Sequence, residues 1–234
     1  MYKEFAELYD DLSEGKDYSE EVSLCDLYLD KAPKKLLDVG CGTGSHLKEF
    51  CGRYSLSSVG VDPCLEMIQV ARSKNIPNCD LHVGEVHDVL DHEFDLVVSF
   101  FNVINHIDSY ASLRDTFKSI YSKTKDEGKF LFDCWNGAAF FIDPPQNKVS
   151  VTSKGTYCYT PYVDYINSNI LMDVCLKKPD GVKVESKLSH TLWTPFLLKS
   201  LLLDVGFHSV DIYKHFTKEQ AEGTEHKLSF VCAK

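Results

Sequence analysis

The residues best equipped for chemistry lie in one stretch, Leu36-Leu37-Asp38-Val39-Gly40-Cys41-Gly42-Thr43-Gly44-Ser45-His46-Leu47. A short apolar run ends in an acid, three glycines alternate with small residues, and a helical pattern follows. That order predicts a buried strand, a turn nearly devoid of side chains, and the start of a helix. Glycines allow the backbone to take positive φ and let a ligand come close to the main chain. In a parallel sheet such a turn opens at the carboxyl ends of the strands, where binding crevices form. The dinucleotide fingerprint G-x-G-x-x-G is not met, because the third glycine arrives one residue early and Ser45 takes its place. A carboxylate at Asp38 repels a pyrophosphate and attracts an α-amino group. The next apolar run, Leu56-Ser57-Ser58-Val59-Gly60-Val61-Asp62, ends in a second acid. It lies about 20 residues past the turn, where a carboxylate reaches a ribose diol.

Other candidates are more dispersed. Beyond an apolar run at Phe94–Phe100 stands Ser99-Phe100-Phe101-Asn102-Val103-Ile104-Asn105-His106-Ile107. His106 there is expected to touch a substrate or assist proton removal; the competing reading is that it and the asparagines satisfy loop backbone. Tyr9 and Tyr18 carry a hydrogen-bonding phenol on an apolar body, or are ordinary aromatics. His82, His87 and His92 recur at an interval that fits neither a helix face nor a strand face, and no metal is expected.

These residues need a scaffold. From Lys34 onward apolar runs alternate with helical patterns, which predicts a doubly wound parallel sheet of the Rossmann-like α/β class. Strands are expected at 35–39, 56–61, 80–83, 94–100 and 129–134, with helices to about Cys51, over 64–74 and over 110–122. Met1 to Ala32 reads as a helical cap in two pieces, with Phe5, Leu8, Tyr9 and Leu12 at helical spacing and a break at Ser13-Glu14-Gly15-Lys16-Asp17. The second piece runs from Tyr18 to Leu29. After strand five, β-type segments at 148–152, 156–162, 165–166, 169–177 and 183–192 form an antiparallel insertion within 145–193, with hairpin turns at Asn167-Ser168-Asn169 and Pro179-Asp180-Gly181. Its tyrosines at 157, 159, 162 and 165 are strand residues or line a lid over the substrate. Thr194, Pro195 and Gly206 mark the start and end of a last helix. Two final strands, 209–213 and 227–232, close a seven-stranded sheet as an antiparallel hairpin, and 1–234 reads as one domain.

With 234 residues and a net charge of −10, the chain is poorly suited to a polyanion, so no nucleic acid is expected. No run approaches the ~20 apolar residues of a membrane span, and no leader is evident at Met1, so a cytoplasmic protein is expected. Nine cysteines without a C-x-x-C pair read as reduced thiols. A small-molecule partner is favoured, and a homodimer is left open.

The acid, the G-x-G-x-G turn and the second acid resemble the cofactor site of class I S-adenosylmethionine-dependent methyltransferases. Leu8-Tyr9-Asp10, Gly15-Lys16-Asp17-Tyr18, Leu36–Leu47 and Phe94-Asp95-Leu96-Val97-Val98-Ser99 narrow the resemblance to N-methyltransferases that dimethylate nucleotide-linked amino sugars. It implies that Tyr18 contacts the carboxylate of S-adenosylmethionine, that Gly40, Gly42 and Gly44 pass under its methionine portion, and that Asp62 holds its ribose. Asp38, Pro63, Met67, Glu85, Val86 and Ser99 complete the expected cofactor contacts, with Glu85 and Val86 beside the adenine. Tyr9, His106 and Asp133 are the expected catalytic group. Where the sugar enzymes carry a Glu-Pro-Trp-Trp type segment, this chain has Asp133-Cys134-Trp135-Asn136, so the acceptor need not be theirs. The leading expectation is methyl transfer to the amine of a sugar nucleotide. An O- or C-methyltransferase of another metabolite, a non-catalytic S-adenosylmethionine binder and a nicotinamide oxidoreductase are the alternatives.

Overall fold

The computed structural model describes residues 9–12, 16–152 and 155–234. Its main sheet is built from β1 (Lys35–Val39), β2 (Ser57–Asp62), β3 (Cys79–Val83), β4 (Phe94–Ser99), β5 (Thr124–Trp135), β10 (Ser209–Lys214) and β11 (Lys227–Ala233). The strand order is β10-β11-β5-β4-β1-β2-β3. β11 runs antiparallel to β5 and β10, and the remaining pairs are parallel. Alternate residues along the strands feed two apolar clusters: Leu37, Val97, Phe130 and Phe132 in one, Leu36, Leu96, Val98 and Leu131 in the other. Side chains alternate faces along a strand, so both faces of this sheet are buried. That is why its central strands read as unbroken apolar runs.

Helices α3 (Ser45–Arg53), α4 (Leu65–Ser73), α5 (Tyr110–Lys123) and α7 (Pro195–Val205) cover the sheet. The Ser109 hydroxyl caps α5 by accepting from Ser112 N at 3.1 Å. The Thr194 hydroxyl caps α7 by accepting from Leu197 N, and α7 stops at Gly206. Both helix ends of α7 follow the sequence reading. Ahead of the sheet stand α1 (Tyr9–Leu12) and α2 (Tyr18–Leu24). α2 is shorter than its apolar stripe suggested, because Cys25–Tyr28 tightens into a 3-10 turn. Phe5, Leu8, the side chain of Leu12 and the Ser13-Glu14-Gly15 break lie outside the described residues.

Between β5 and α7, a short helix α6 (Gly137–Ile142) leads into an antiparallel sheet. It comprises β6 (Lys148–Thr152), β7 (Gly155–Asp164), β8 (Asn169–Lys177) and β9 (Lys183–Thr191). Tyr165 and Ile166, expected as strand, form the β7–β8 turn instead. The Asp164 carboxylate accepts from the backbone N–H of Ile166 and Asn167, an Asx turn that overrides the β propensity of both residues. β5 starts earlier than expected, and its pairing with β4 shifts register between Phe94 and Leu96. Among the described residues no helix is long and apolar enough to cross a membrane.

Candidate active site

β1 pairs with β2 on one side and with β4 on the other, so the chain reverses its direction of travel across the sheet at β1. Crevices open at such switch points, at the carboxyl ends of the strands. A cavity of about 600 Å³ lies there. A second of about 320 Å³ adjoins it, sharing Gly40, Pro63, Val103 and His106 as common wall. Cavities of this size suit small ligands or cofactors.

The turn after β1 forms the floor. Gly40 has φ +74, and a Cβ added there would stand 2.5 Å from the Val103 side chain, so only glycine fits. Gly42 has φ +53, yet a Cβ there would meet nothing within 4 Å. That space belongs to the cavity, which Gly42 lines, so bare backbone at Gly42 leaves room for a ligand. Asp62 braces the turn from β2: its carboxylate accepts from Gly42 N at 2.9 Å and from Cys64 N at 2.8 Å. Beneath the turn Asp38 is 2% exposed, and its Oδ2 has no hydrogen-bond partner among the described residues. Burial, reinforced by the Asp62 charge, pushes the Asp38 carboxyl up to about 8. A buried carboxyl lacking a partner is a costly arrangement that a cationic ligand group relieves.

The expected residues divide by position. Tyr9, Tyr18, Gly40, Gly42, Asp62, Pro63, Met67 and His106 line the larger cavity. Glu85 and Val86 line the smaller one. Asp38, Gly44, Ser99 and Asp133 are on neither wall. Gly44 is the N-cap of α3. Ser99 is fully buried, and its hydroxyl donates to Val39 O at 2.9 Å, tying the ends of β4 and β1 together. Asp133 is 1% exposed and accepts from the backbone N–H of Phe101 and Asn102. These two residues take φ of 70° and 60°, a left-handed pair that side chains disfavour. The expected catalytic carboxylate of Asp133 therefore clamps the loop that carries Phe101 to the cavity wall.

Several residues to which sequence reasoning gave no site role support the wall residues, and one of them, His46, lines the cavity itself. Asp10 pins α1 to the glycine turn: it accepts from the Thr43 hydroxyl at 2.6 Å and pairs with Lys74 at 2.7 Å. Tyr9, beside it, meets the Phe101 ring edge-on at 6.1 Å. Lys16 lies 3.9 Å over the Phe101 ring and pairs with Glu21 at 3.0 Å. Glu21 in turn meets His46 Nε2 at 2.8 Å. Burial raises the Glu21 carboxyl, but His46 and Lys16 outweigh it and hold the group below the usual range, so His46 donates to a carboxylate. The Tyr18 ring stands edge-on to His46 at 4.8 Å.

Behind His106 on the cavity wall a second imidazole is packed. His190, on β9, lies 4.1 Å from His106 between ring centroids and 4.7 Å from Trp135. Burial lowers His106 to about 4. Burial and the neighbouring His106 lower His190 to about 3. Both are neutral at pH 7. Because both folded values lie below the ordinary 6.5, the unfolded chain binds more protons as pH falls. Their contribution is therefore complete above about pH 6.5 and is lost on acidification, at about 2 kcal/mol for each ring between pH 7 and pH 5. Urea unfolding at both pH values should show this loss, and His190→Phe should lose less than the parent. An equal loss in both would contradict it.

Residues 36–128 match the family described as a methyltransferase domain. Members of this family use S-adenosylmethionine. The chain is 32% identical over 150 residues to dTDP-3-amino-3,4,6-trideoxy-alpha-D-glucopyranose N,N-dimethyltransferase of Streptomyces venezuelae, 61% of this chain and 62% of that protein. It is 33% identical over 138 residues to dTDP-3-amino-3,6-dideoxy-alpha-D-glucopyranose N,N-dimethyltransferase of Streptomyces fradiae, 56% of this chain and 53% of that one. The chain thus spans less than two thirds of either curated relative in these matches. A solved S-adenosylmethionine-dependent methyltransferase from Clostridium acetobutylicum superimposes with a TM-score of 0.83 at 18% identity, over 99% of this chain and 98% of that one, which shows the shared fold. The matched segment holds β1 to β4 and the start of β5, and so carries the glycine turn, Asp38, Asp62, Glu85 and His106 within one unit.

Proposed function

We propose that this chain transfers a methyl group from S-adenosylmethionine to the amine of a small molecule, with a nucleotide-linked amino sugar as the leading acceptor. The observation that carries the cofactor is the partnerless buried oxygen of Asp38 under a turn whose Gly42 leaves open space, with Asp62 at the cavity rim. The residues fit an amino acid joined to a nucleoside: Asp38 for the ammonium, Asp62 for the ribose, Glu85 and Val86 for the base. Tyr18 is assigned to the carboxylate end. The amino-sugar acceptor is supported by the two Streptomyces relatives, which are named for that chemistry.

When bound, S-adenosylmethionine supplies an electrophilic methyl carbon on a sulfonium. Transfer is an in-line displacement, so the protein's main contribution is alignment. Tyr9, Phe101 and His106 surround the approach with largely apolar surface, which disfavours an acceptor's ammonium form and exposes its lone pair. His106 favours an amine over a hydroxyl. With its value near 4 it is too weak a base to draw a proton from an alcohol, whereas a neutral amine needs no base. Asp133 and Lys16 hold Phe101 in place, and the β6–β9 sheet meets this side of the site where His190 packs on His106 and on Trp135 of β5.

Incubation with S-adenosylmethionine and a panel of dTDP-amino sugars should yield products heavier by one or two methyl groups on nitrogen. Methylation confined to hydroxyl or carbon acceptors would overturn the amine reading. His106→Ala should lower turnover while leaving cofactor affinity within about threefold, since its contribution is to acceptor positioning.

Asp38 gives a test without turnover. In the ligand-free protein its carboxyl is protonated at pH 7, and a bound ammonium favours the ionised form. Cofactor binding at pH 7 should release roughly one proton. Calorimetry of S-adenosylhomocysteine in two buffers of different ionisation enthalpy measures this number. Asp38→Asn should abolish it, and equal proton release from that variant would contradict the assignment.

A further inference from the structure

Away from the cavity, β7 and β8 place Cys158 directly opposite Cys175 in the antiparallel ladder. Opposed residues point to the same face of a sheet. That face is the outer one. Tyr157, Val174 and Leu176, on either side in sequence, are packed inward in the small core of the insertion. The outward row across the four strands reads Val149, Cys158, Cys175 and Glu185. Val149 is 64% exposed and Glu185 is exposed, while both thiols are half-buried and free. Directly opposed residues of an antiparallel pair have Cα atoms about 4.5 or 5.5 Å apart, depending on the pair type. Both values lie within the range of about 4.4–6.8 Å that a disulfide spans.

We infer that Cys158 and Cys175 form a reversible cross-strand dithiol–disulfide couple on the outer face of the insertion sheet. A small-molecule disulfide such as oxidised glutathione is the oxidant. The thiolate of one cysteine attacks a glutathione sulfur, forming a mixed disulfide and releasing one glutathione thiolate. The thiolate of the other cysteine then attacks the protein sulfur of that mixed disulfide, forming the Cys158–Cys175 bond and expelling the second glutathione. Two protein thiols are oxidised, the oxidant is reduced to two thiols, and these take up both protons. The cross-link fixes the register of the two central strands of this sheet. Its formation is independent of the proposed methyl transfer.

The sequence supplies a clean assay, because the tryptic peptide Gly155–Lys177 contains both cysteines and no others. The full-length protein is exposed to oxidised glutathione, alkylated without reduction, digested and weighed. The expected peptide is lighter by two hydrogen atoms and takes up no alkyl group, and reduction before alkylation restores two alkylation sites. Cys158→Ser should instead carry a single glutathione or alkyl group at Cys175. A wild-type peptide that takes up alkyl or glutathionyl groups after oxidation would overturn the inference.

Discussion

Asp62→Ala is expected to weaken S-adenosylmethionine binding about a hundredfold or more, the largest effect of any single change at the cofactor site. The carboxylate does two jobs. It accepts from Gly42 N and Cys64 N, holding the glycine turn to the end of β2, and it lines the cavity with oxygen lone pairs to spare. Hydrogen bonds to a charged group contribute about 1.5–3 kcal/mol each, so losing both the bracing and the proposed ribose contacts exceeds a factor of a hundred. Asp62→Asn keeps one acceptor oxygen and presents an amide donor to the other backbone N–H. It should fall between the parent and the alanine variant, near tenfold. Isothermal calorimetry on folded protein reads both. Binding within threefold of the parent for Asp62→Ala would remove this residue from the site.

The second large effect is on stability. Asp133→Leu is expected to cost about 3–5 kcal/mol, because it removes one member of a buried charge network and leaves the rest uncompensated. The Asp133 oxygens accept from Phe101 N and Asn102 N, and Oδ2 stands 3.3 Å from His215 Nε2. Burial alone would raise this carboxyl. The His215 hydrogen bond and the Lys227 and Lys16 charges outweigh it and hold the group below the ordinary carboxylate range. A depressed folded value means that this contribution is fully present above about pH 4 and is lost as pH falls through the folded value. The acid loss therefore comes at lower pH than that of the two neutral histidines. Asp133→Leu also releases the left-handed Phe101–Asn102 turn, so methyl transfer should fall further than cofactor affinity. Urea unfolding paired with single-turnover assays separates the two. Unchanged stability would show that the clamp is not made.

The residues of the candidate cofactor site that line the larger cavity were legible because they are local in sequence. A strand-ending acid, the glycines and a second acid lie on adjacent elements at fixed spacing, and α7 announced itself with Thr194, Pro195 and Gly206. The side proposed for the acceptor was not legible in the same way. Asp133 was placed near the acceptor by its position after strand five, but its partners Phe101 and Asn102 belong to the loop after β4, and nothing local marks that pairing. His190 reads as an ordinary strand residue until the insertion sheet folds back against His106. Ser99 looked like a cofactor contact because it ends β4, yet its hydroxyl turns to the Val39 carbonyl. Propensity alone also misread Tyr165 and Ile166, where one Asp164 carboxylate decides the turn.

The central claim is that the crevice between β1 and β4 is shaped for S-adenosylmethionine, and thermal denaturation of ligand-stripped protein tests it most directly. A ligand that binds only the folded chain raises its midpoint progressively with concentration. The midpoint should climb with S-adenosylhomocysteine, and far less with the same ligand in Asp62→Ala. A midpoint that stays flat with S-adenosylhomocysteine and S-adenosylmethionine, or rises with NAD instead, would contradict it.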